Sequence, residues 1–232
     1  GALYDGERFL VERFAIATSP GLSLTCPQSL KSSEVQVLAT GLTEARDGFS
    51  ALPAVENELD MIQDLYGATE LRNESFLMEP VSDELSGGQY SVVHIATHGQ
   101  FKADYRDSFL LTYDGRMTMD RLEETVGMRR FLNEPVELLM LSACETAVGD
   151  DRAALGLAGV ALKAGARSAV ASLWSINDQS SAELVGEFYA NLKTGEYSRA
   201  QTLQLAQLSL LEDESYDHPY YWSAFLLIGN WL

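Results

Sequence analysis

The fold of this chain is decided by the stretch Glu137-Leu-Leu-Met-Leu-Ser-Ala-Cys-Glu-Thr-Ala-Val-Gly-Asp150. Its apolar run, residues 138–141, stops abruptly at small residues and a single cysteine, Cys144, and a segment rich in Ala, Leu and Gly follows. This pattern is typical of a buried strand followed by a helix. The strand would deliver Cys144 to its carboxyl end, where open α/β sheets place their active sites.

A second stretch has the same form, because the mostly apolar residues 91–97 end at His98-Gly99. A histidine and a cysteine at one sheet edge are the minimum requirement of a cysteine hydrolase: the imidazole lowers the pKa of the thiol and later protonates the leaving group. The backbone N–H groups of Gly99 and Cys144 are candidates for an oxyanion hole. The alternative is a buried, unreactive cysteine, which is common for a free Cys.

Composition limits the possible classes of function. The 232 residues are 46% hydrophobic, which suits one large α/β domain or two small ones. The net charge of −18, from 16 Lys+Arg and 34 Asp+Glu, argues against a nucleic acid partner. The chain has no run of about 18 apolar residues, so neither a transmembrane helix nor a membrane partner is expected.

The two cysteines, Cys26 and Cys144, have no metal-like spacing and form no disulfide framework, which favours a reducing, cytoplasmic compartment. Neither a metal nor a cofactor is expected. The first residues lack an initiating Met and the pattern of a signal peptide, so we expect a piece of a longer chain.

Strands and helices alternate along the chain. Strands are predicted at residues 35–40, 69–72, 91–97, 137–142 and 168–173, with a last apolar strand before residue 229. Helices are predicted at residues 54–66, 74–85, 119–126, 153–164, 181–193 and 198–211, and a small hairpin turns at Asp114-Gly115. Residues 3–19 are predicted as a β-hairpin or ribbon with a strand at residues 9–17. The alternation predicts a mostly parallel sheet covered by helices.

Several motifs in order resemble those of the CHAT family of caspase-like peptidases, which are relatives of separase. The motifs are His94-Ile-Ala-Thr-His-Gly99, Leu141-Ser-Ala-Cys-Glu-Thr146, Gly156-Leu-Ala-Gly-Val-Ala-Leu-Lys-Ala-Gly-Ala166, Ala171-Ser-Leu-Trp-Ser-Ile-Asn-Asp178 and His218-Pro-Tyr-Tyr-Trp-Ser-Ala-Phe-Leu-Leu-Ile-Gly229. Cys144 follows His98 by 46 residues, close to the spacing of about 50 in caspases. Of the local caspase cysteine pattern, the chain keeps only Ala-Cys.

The resemblance spans nearly the whole chain and implies a caspase-like three-layer α/β sandwich with helices on both faces of the sheet. Residues 35–232 would form the peptidase domain, and residues 1–34 an N-terminal extension packed on it. Members of the family are often fused to tetratricopeptide repeats, so such a region is an expected partner beside the protein or peptide substrate.

Carried over residue by residue, the resemblance makes Cys144 the nucleophile and His98 the general base and acid. His94 would then be a core or supporting residue, and His218 would pack near the C-terminal strand. Asp178 matches an aspartate that lines the pocket for a basic P1 side chain in separase-like members. Alternatively, Asn177 or Asp178 caps the following helix.

By analogy with caspases, residues Ser172, Leu173 and Trp174 would pair with the substrate backbone as an added strand. Alternatively, Trp174 belongs only to the core. The function predicted is a cysteine endopeptidase that cleaves after a basic residue. Two alternatives stay open: a latent or inactive regulatory domain controlled by a fused repeat region, and a small-molecule acyl hydrolase with the same dyad.

Overall fold

The computed structural model describes residues 1–19, 21, 28–30, 35–101, 105–131, 135–142, 145–146, 165–174 and 176–232. Cys26, Cys144 and the helix predicted at residues 153–164 lie outside the described residues.

The described strands form two sheets. They are β1 (Val37–Gly41), β2 (Thr69–Arg72), β3 (Val92–Ala96), β4 (Gly99–Phe101), β5 (Phe109–Thr112), β6 (Gly115–Thr118), β7 (Leu138–Ser142), β8 (Glu145–Thr146), β9 (Ser168–Ser172) and β10 (Phe225–Gly229). The central sheet has six strands in the order β10-β9-β7-β3-β1-β2, and a smaller sheet has the order β6-β5-β4-β8. In the central sheet β10 runs antiparallel and its five neighbours are parallel to one another.

Helices cover both faces of the central sheet. They are α1 (Ala54–Tyr66), α2 (Met78–Gly87), α3 (Met119–Phe131), α4 (Asp178–Thr194), α5 (Arg199–Glu212) and α6 (Pro219–Trp222). Because successive side chains of a strand point to opposite faces, Leu138 joins the core under α1, α4 and α5, whereas Leu139 joins the core under α2 and α3. The inner strands β1, β3, β7 and β9 are therefore buried on both faces. Most of their residues are apolar, but buried polar residues such as His94 and Ser142 occur among them.

The ends of α1 follow from its sequence. Val55, Leu59 and Ile62 recur at helical spacing and are fully buried. Gly67 ends the helix with a left-handed φ of 61°, and its N–H donates to the Gln63 carbonyl. Helix α2 begins later than predicted, because residues 73–75 form a 3-10 turn. Pro80 lies in the first turn of α2, where its missing N–H removes no helical hydrogen bond.

The N-terminal segment differs from the prediction of a strand at residues 9–17. A turn does form near Asp5, and Tyr4 pairs with Phe9 in a single bridge. Residues Leu10–Glu12, however, form a 3-10 turn. The Glu12 carboxylate accepts from the Phe9 N–H at 2.6 Å, and the Phe9 ring packs edge-on against Trp222. These contacts hold the segment against Trp222. The predicted domain boundary after residue 34 stays a prediction.

The fold class predicted from the sequence is confirmed: a mostly parallel central sheet lies between two layers of helices. Strands β3, β7 and β9 are adjacent and parallel, so their carboxyl ends lie at one edge of the sheet.

Candidate functional site

The site is built on the carboxyl ends of β3 and β7. The last residues of these strands, Ala96 and Ser142, are paired with each other. Beyond them the same two segments pair again as β4 and β8, with Gln100 opposite Glu145. The two pairs lie on either side of His98 in one segment and of position 144 in the other. Cys144 itself lies outside the described residues.

His98 is held from two sides. Its side chain is nearly buried, with 8% of the residue exposed. The Nε2 atom lies 2.7 Å from the carbonyl oxygen of Ser50, and the Phe49 ring lies against the imidazole at a centroid distance of 5.0 Å. The His98 carbonyl accepts from the Leu111 N–H at 2.8 Å, which ties the backbone to β5.

The contact with Ser50 decides the tautomer of His98. A carbonyl oxygen can only accept, so Nε2 carries the hydrogen and donates it. In the neutral ring Nδ1 then carries the lone pair and is the atom that can take a proton. The contact with the backbone carbonyl thus fixes which ring nitrogen of His98 is able to accept a proton, and its role as a catalytic base stays a prediction.

Gly99, the other half of the predicted oxyanion hole, is buried at the start of β4 and is paired with Leu110 of β5. The role of its N–H group stays a prediction.

Asp178 lies at the first position of α4 and joins two helices. Its Oδ2 accepts from the Ala54 N–H at 2.8 Å, so it caps the amino end of α1. Burial raises the pKa of Asp178, and the negative charge of Glu58 adds to the rise, whereas the Ala54 hydrogen bond and the charge of His98 oppose it.

The alternative considered for this region is correct for Asn177. Its side chain accepts from the Ser180 N–H at 3.1 Å and caps α4. The helix therefore begins three residues earlier than predicted. Asp178 is left with a different helix to cap, and its predicted role in a P1 pocket stays a prediction.

The predicted substrate-pairing segment has one side occupied by β10. Ser172 is paired with Phe225, and the Leu173 N–H donates to the Ala224 carbonyl. Trp174 is half-buried; its Nε1–H donates to the Tyr220 carbonyl, and its ring is stacked on that of Tyr220.

The other two histidines have structural partners. His94 is fully buried in β3, with Nε2 2.9 Å from the Glu58 carboxylate and Nδ1 3.3 Å from the Tyr189 hydroxyl. His218 caps α6 through Nδ1, which accepts from the Tyr220 N–H. The buried placement of His94 agrees with the role expected from the sequence. His218 was expected to pack near the C-terminal strand, but it is exposed and caps the short helix before that strand. Among the described residues, no group of three or more His, Cys, Asp and Glu side chains could hold a metal ion.

Two features of the site were missed from the sequence. The Ser50 carbonyl is a backbone atom of a loop, and no residue type signals it. Glu58 could have been predicted to be buried from its helical spacing, because it lies three residues after Val55 and four before Ile62. It therefore falls within the apolar stripe of α1, and a glutamate in such a stripe needs a buried partner.

None of the helices in the described residues is long and apolar enough to cross a membrane.

Comparison with curated proteins finds no match. Among solved structures, the chain is similar to the Arg-specific cysteine proteinase gingipain R (RgpB), with a TM-score of 0.58 and 12% identity over 88% of this chain. It is also similar to the complex of the Porphyromonas gingivalis RgpB pro- and mature domains, with a TM-score of 0.56 and 12% identity over 88% of this chain. The Drosophila initiator caspase Dronc matches with a TM-score of 0.49 and 8% identity, over 94% of this chain and 85% of its own.

The two gingipain matches establish the fold that this chain shares with a cysteine proteinase. The chain spans about half of each of these proteins, 49% and 50%. The sequence pattern of the CHAT domain matches residues 1–230, which is nearly the whole chain. The protein therefore belongs to the CHAT domain family.

Proposed function

We propose that this chain is a cysteine endopeptidase in which Cys144 is the nucleophile and His98 the general base and acid. The observation that carries the proposal is the double pairing of the segments that contain these residues, Ala96 with Ser142 before them and Gln100 with Glu145 after them. The Ser50 carbonyl supports it, because it leaves Nδ1 of His98 as the basic atom.

The reaction follows from these roles. His98 Nδ1 takes the thiol proton, and the Cys144 sulfur forms a bond to the carbonyl carbon of the peptide. The negative charge moves to the carbonyl oxygen, for which the N–H groups of Gly99 and Cys144 are the proposed donors. The C–N bond then breaks, and the proton on Nδ1 passes to the leaving amine. Water, deprotonated by His98, cleaves the thioester and restores the thiol.

The substrate is a protein segment with a basic residue before the cleaved bond. Asp178 supplies the negative charge for that residue, and its Oδ2 is already engaged by Ala54, so recognition falls to the other oxygen. The net charge of −18 attracts basic segments in general. The segment from Ser172 to Trp174 receives the substrate backbone as a strand. A tetratricopeptide-repeat region is the proposed regulatory partner, and the cytoplasm the proposed compartment.

A test without a known substrate combines a fluorogenic peptide library with alkylation of Cys144. Iodoacetamide labelling at pH 6, followed by mass spectrometry of the Cys144 peptide, reports the thiolate. We expect His98→Ala to slow labelling and to abolish cleavage, and Cys144→Ala to abolish cleavage. The matched control is His218→Ala, which removes an exposed capping histidine and should leave both signals unchanged.

The possible results separate the functions. Cleavage by Cys144→Ala, or wild-type labelling in His98→Ala, would overturn the proposal. Labelling that depends on His98 without cleavage of any library peptide would instead identify a latent domain. Asp178→Asn keeps an oxygen for the Ala54 cap but loses the charge, so an unchanged preference for basic peptides would remove the specificity assignment.

A further inference from the structure

Four buried polar side chains form a cluster beneath the site, between the sheet and helices α1 and α4. The Glu58 cluster consists of Glu58, His94, Ser142 and Tyr189, none of which is more than 1% exposed. Burying a charged carboxylate costs several kcal/mol unless hydrogen bonds compensate it. The contacts of Glu58 therefore decide what the cluster does.

Ser142 makes the well-aligned hydrogen bond to Glu58. Its Oγ–H donates to Glu58 Oε2 at 3.1 Å. His94 Nε2 approaches Glu58 Oε1 to 2.9 Å, but not along a hydrogen-bond direction, so within the described residues neither atom has an aligned partner. The ion-pair distance between Glu58 and His94 thus overstates that contact, and the bond from Ser142 is the stronger constraint.

The hydroxyl group of Tyr189 is the hydrogen-bond donor to His94 in the cluster. Burial raises the pKa of Tyr189 well above its ordinary value, and the charges of Tyr66 and Glu58 add to the rise. Tyr189 therefore stays neutral and can donate its hydroxyl hydrogen to His94 Nδ1, 3.3 Å away. In the neutral ring the hydrogen of His94 then lies on Nε2, which is 2.9 Å from Glu58 Oε1 but out of line with it.

The position of Ser142 gives the cluster its connection to the site. Ser142 is the last residue of β7, and Cys144 follows two positions later. Glu58 lies one turn into α1 from Ala54, which Asp178 caps, and the loop before α1 contains Ser50, which orients His98. Helix α1 and the loop before it thus contact both segments of the site: the loop through the Ser50 carbonyl, and the helix through the Glu58 carboxylate.

We infer that Glu58 is a positioning residue for the nucleophile: through its hydrogen bond to Ser142 it fixes the end of β7 relative to the His98 segment. The inference rests on the proposed function, since it assigns a role within the same site. Neither Glu58 nor Ser142 touches the reacting atoms. Their effect on the reaction passes through the distance between the thiolate and the imidazolium.

The test measures the pH profile of Cys144 alkylation by iodoacetamide, with Ser142→Ala as the principal variant. A looser β7 end weakens the stabilisation of the thiolate by His98. We expect the midpoint of the profile to rise by about one pKa unit, so that alkylation at pH 6 slows about tenfold. At a pH well above the midpoint the rate should match that of the wild type. A general loss of packing would lower the rate at every pH.

Ser168→Ala is the matched control. Ser168 is equally buried, and its hydroxyl donates to the Glu137 carbonyl at 2.6 Å. It lies at the opposite, amino end of the neighbouring strand β9. We expect its profile to keep the wild-type midpoint.

A double-variant cycle tests whether the effect passes through Glu58. In a Glu58→Gln background, where an amide replaces the carboxyl acceptor of the Ser142 hydrogen bond, adding Ser142→Ala should slow alkylation by about threefold or less. An equal loss in both backgrounds would overturn the inference, as would a midpoint in Ser142→Ala no different from that in Ser168→Ala. If Glu58→Gln does not fold, the comparison of the two serine variants decides alone. A midpoint unaffected by His98→Ala would instead refute the proposed function.

Discussion

Gly41, the last residue of β1, lets α1 approach the sheet closely, and Gly41→Ala should push the two apart. A Cβ at this position would lie 2.8 Å from Val55 Cγ1, 2.9 Å from Leu59 Cδ1 and 3.1 Å from the Ala96 carbonyl oxygen. Val55 and Leu59 are fully buried on α1, and the third atom belongs to the backbone of β3. None of the three can move without disturbing the core.

The expected magnitude follows from overpacking. A methyl group forced into a filled core costs about 1–3 kcal/mol. For a chain of this size each kcal/mol lowers the melting temperature by about 2–4 °C, so a cost of about 2 kcal/mol corresponds to about 4–8 °C. Because α1 also carries Glu58, alkylation of Cys144 at pH 6 should slow in the same variant.

Urea unfolding and a thermal melt would measure the change, with Gly87→Ala as the control. A Cβ at Gly87 meets no atom within 4 Å, and Gly87 ends α2 on the other side of the sheet. The control should unfold within about 0.5 kcal/mol of the wild type, as surface substitutions usually do. Equal stability of the two variants would refute the close approach of α1 to β1.

Two further predictions concern ionisable groups. Burial raises the folded pKa of Asp178 from its ordinary 3.8, so the folded state holds the proton to higher pH than the unfolded state, and stability falls as pH rises through that window. In urea unfolding from pH 4 to 7, the free energy of unfolding of Asp178→Asn should rise relative to that of the wild type as the pH rises. A relative fall of this free energy with pH would contradict the reasoning. Arg199 is buried and pairs with Glu137 at 2.9 Å, so Arg199→Ala should lower the free energy of unfolding by about 3–5 kcal/mol. Arg116→Ala, which removes a half-exposed ion pair, should cost less than about 1 kcal/mol, and similar losses in the two urea titrations would contradict the distinction.

The elements predicted well are those whose signals are local. The apolar spacing of Val55, Leu59 and Ile62 and the stop at Gly67 gave both ends of α1. The turn at Asp114-Gly115 gave the hairpin of β5 and β6. These patterns act within one segment, so the rest of the chain need not be known.

The elements predicted poorly depend on distant residues. The segment at residues 9–17 has the composition of a strand, but Glu12 caps Phe9 and Trp222 packs against it. Trp222 lies more than two hundred residues away in the sequence, and no local pattern announces the contact.

For the site, the carboxyl ends of the strands could be predicted, because each end is marked by an apolar run that stops at polar residues. The structure adds what surrounds those ends. Asp178 was predicted to be a pocket residue or a cap of its own helix. The helix that it caps is α1, and its role in a pocket stays a prediction. A side chain can cap a helix that begins 124 residues earlier, and helix-capping rules read only neighbouring positions.

The Ser50 carbonyl has a consequence for how related sequences can vary. Every amino acid supplies the same oxygen, and the Ser50 residue is exposed, so its side chain is free to differ among homologues. What selection can act on is the length of the loop between β1 and α1, since an insertion or deletion there would move the acceptor away from His98. The position should therefore vary freely in residue type among homologues while tolerating few changes in loop length.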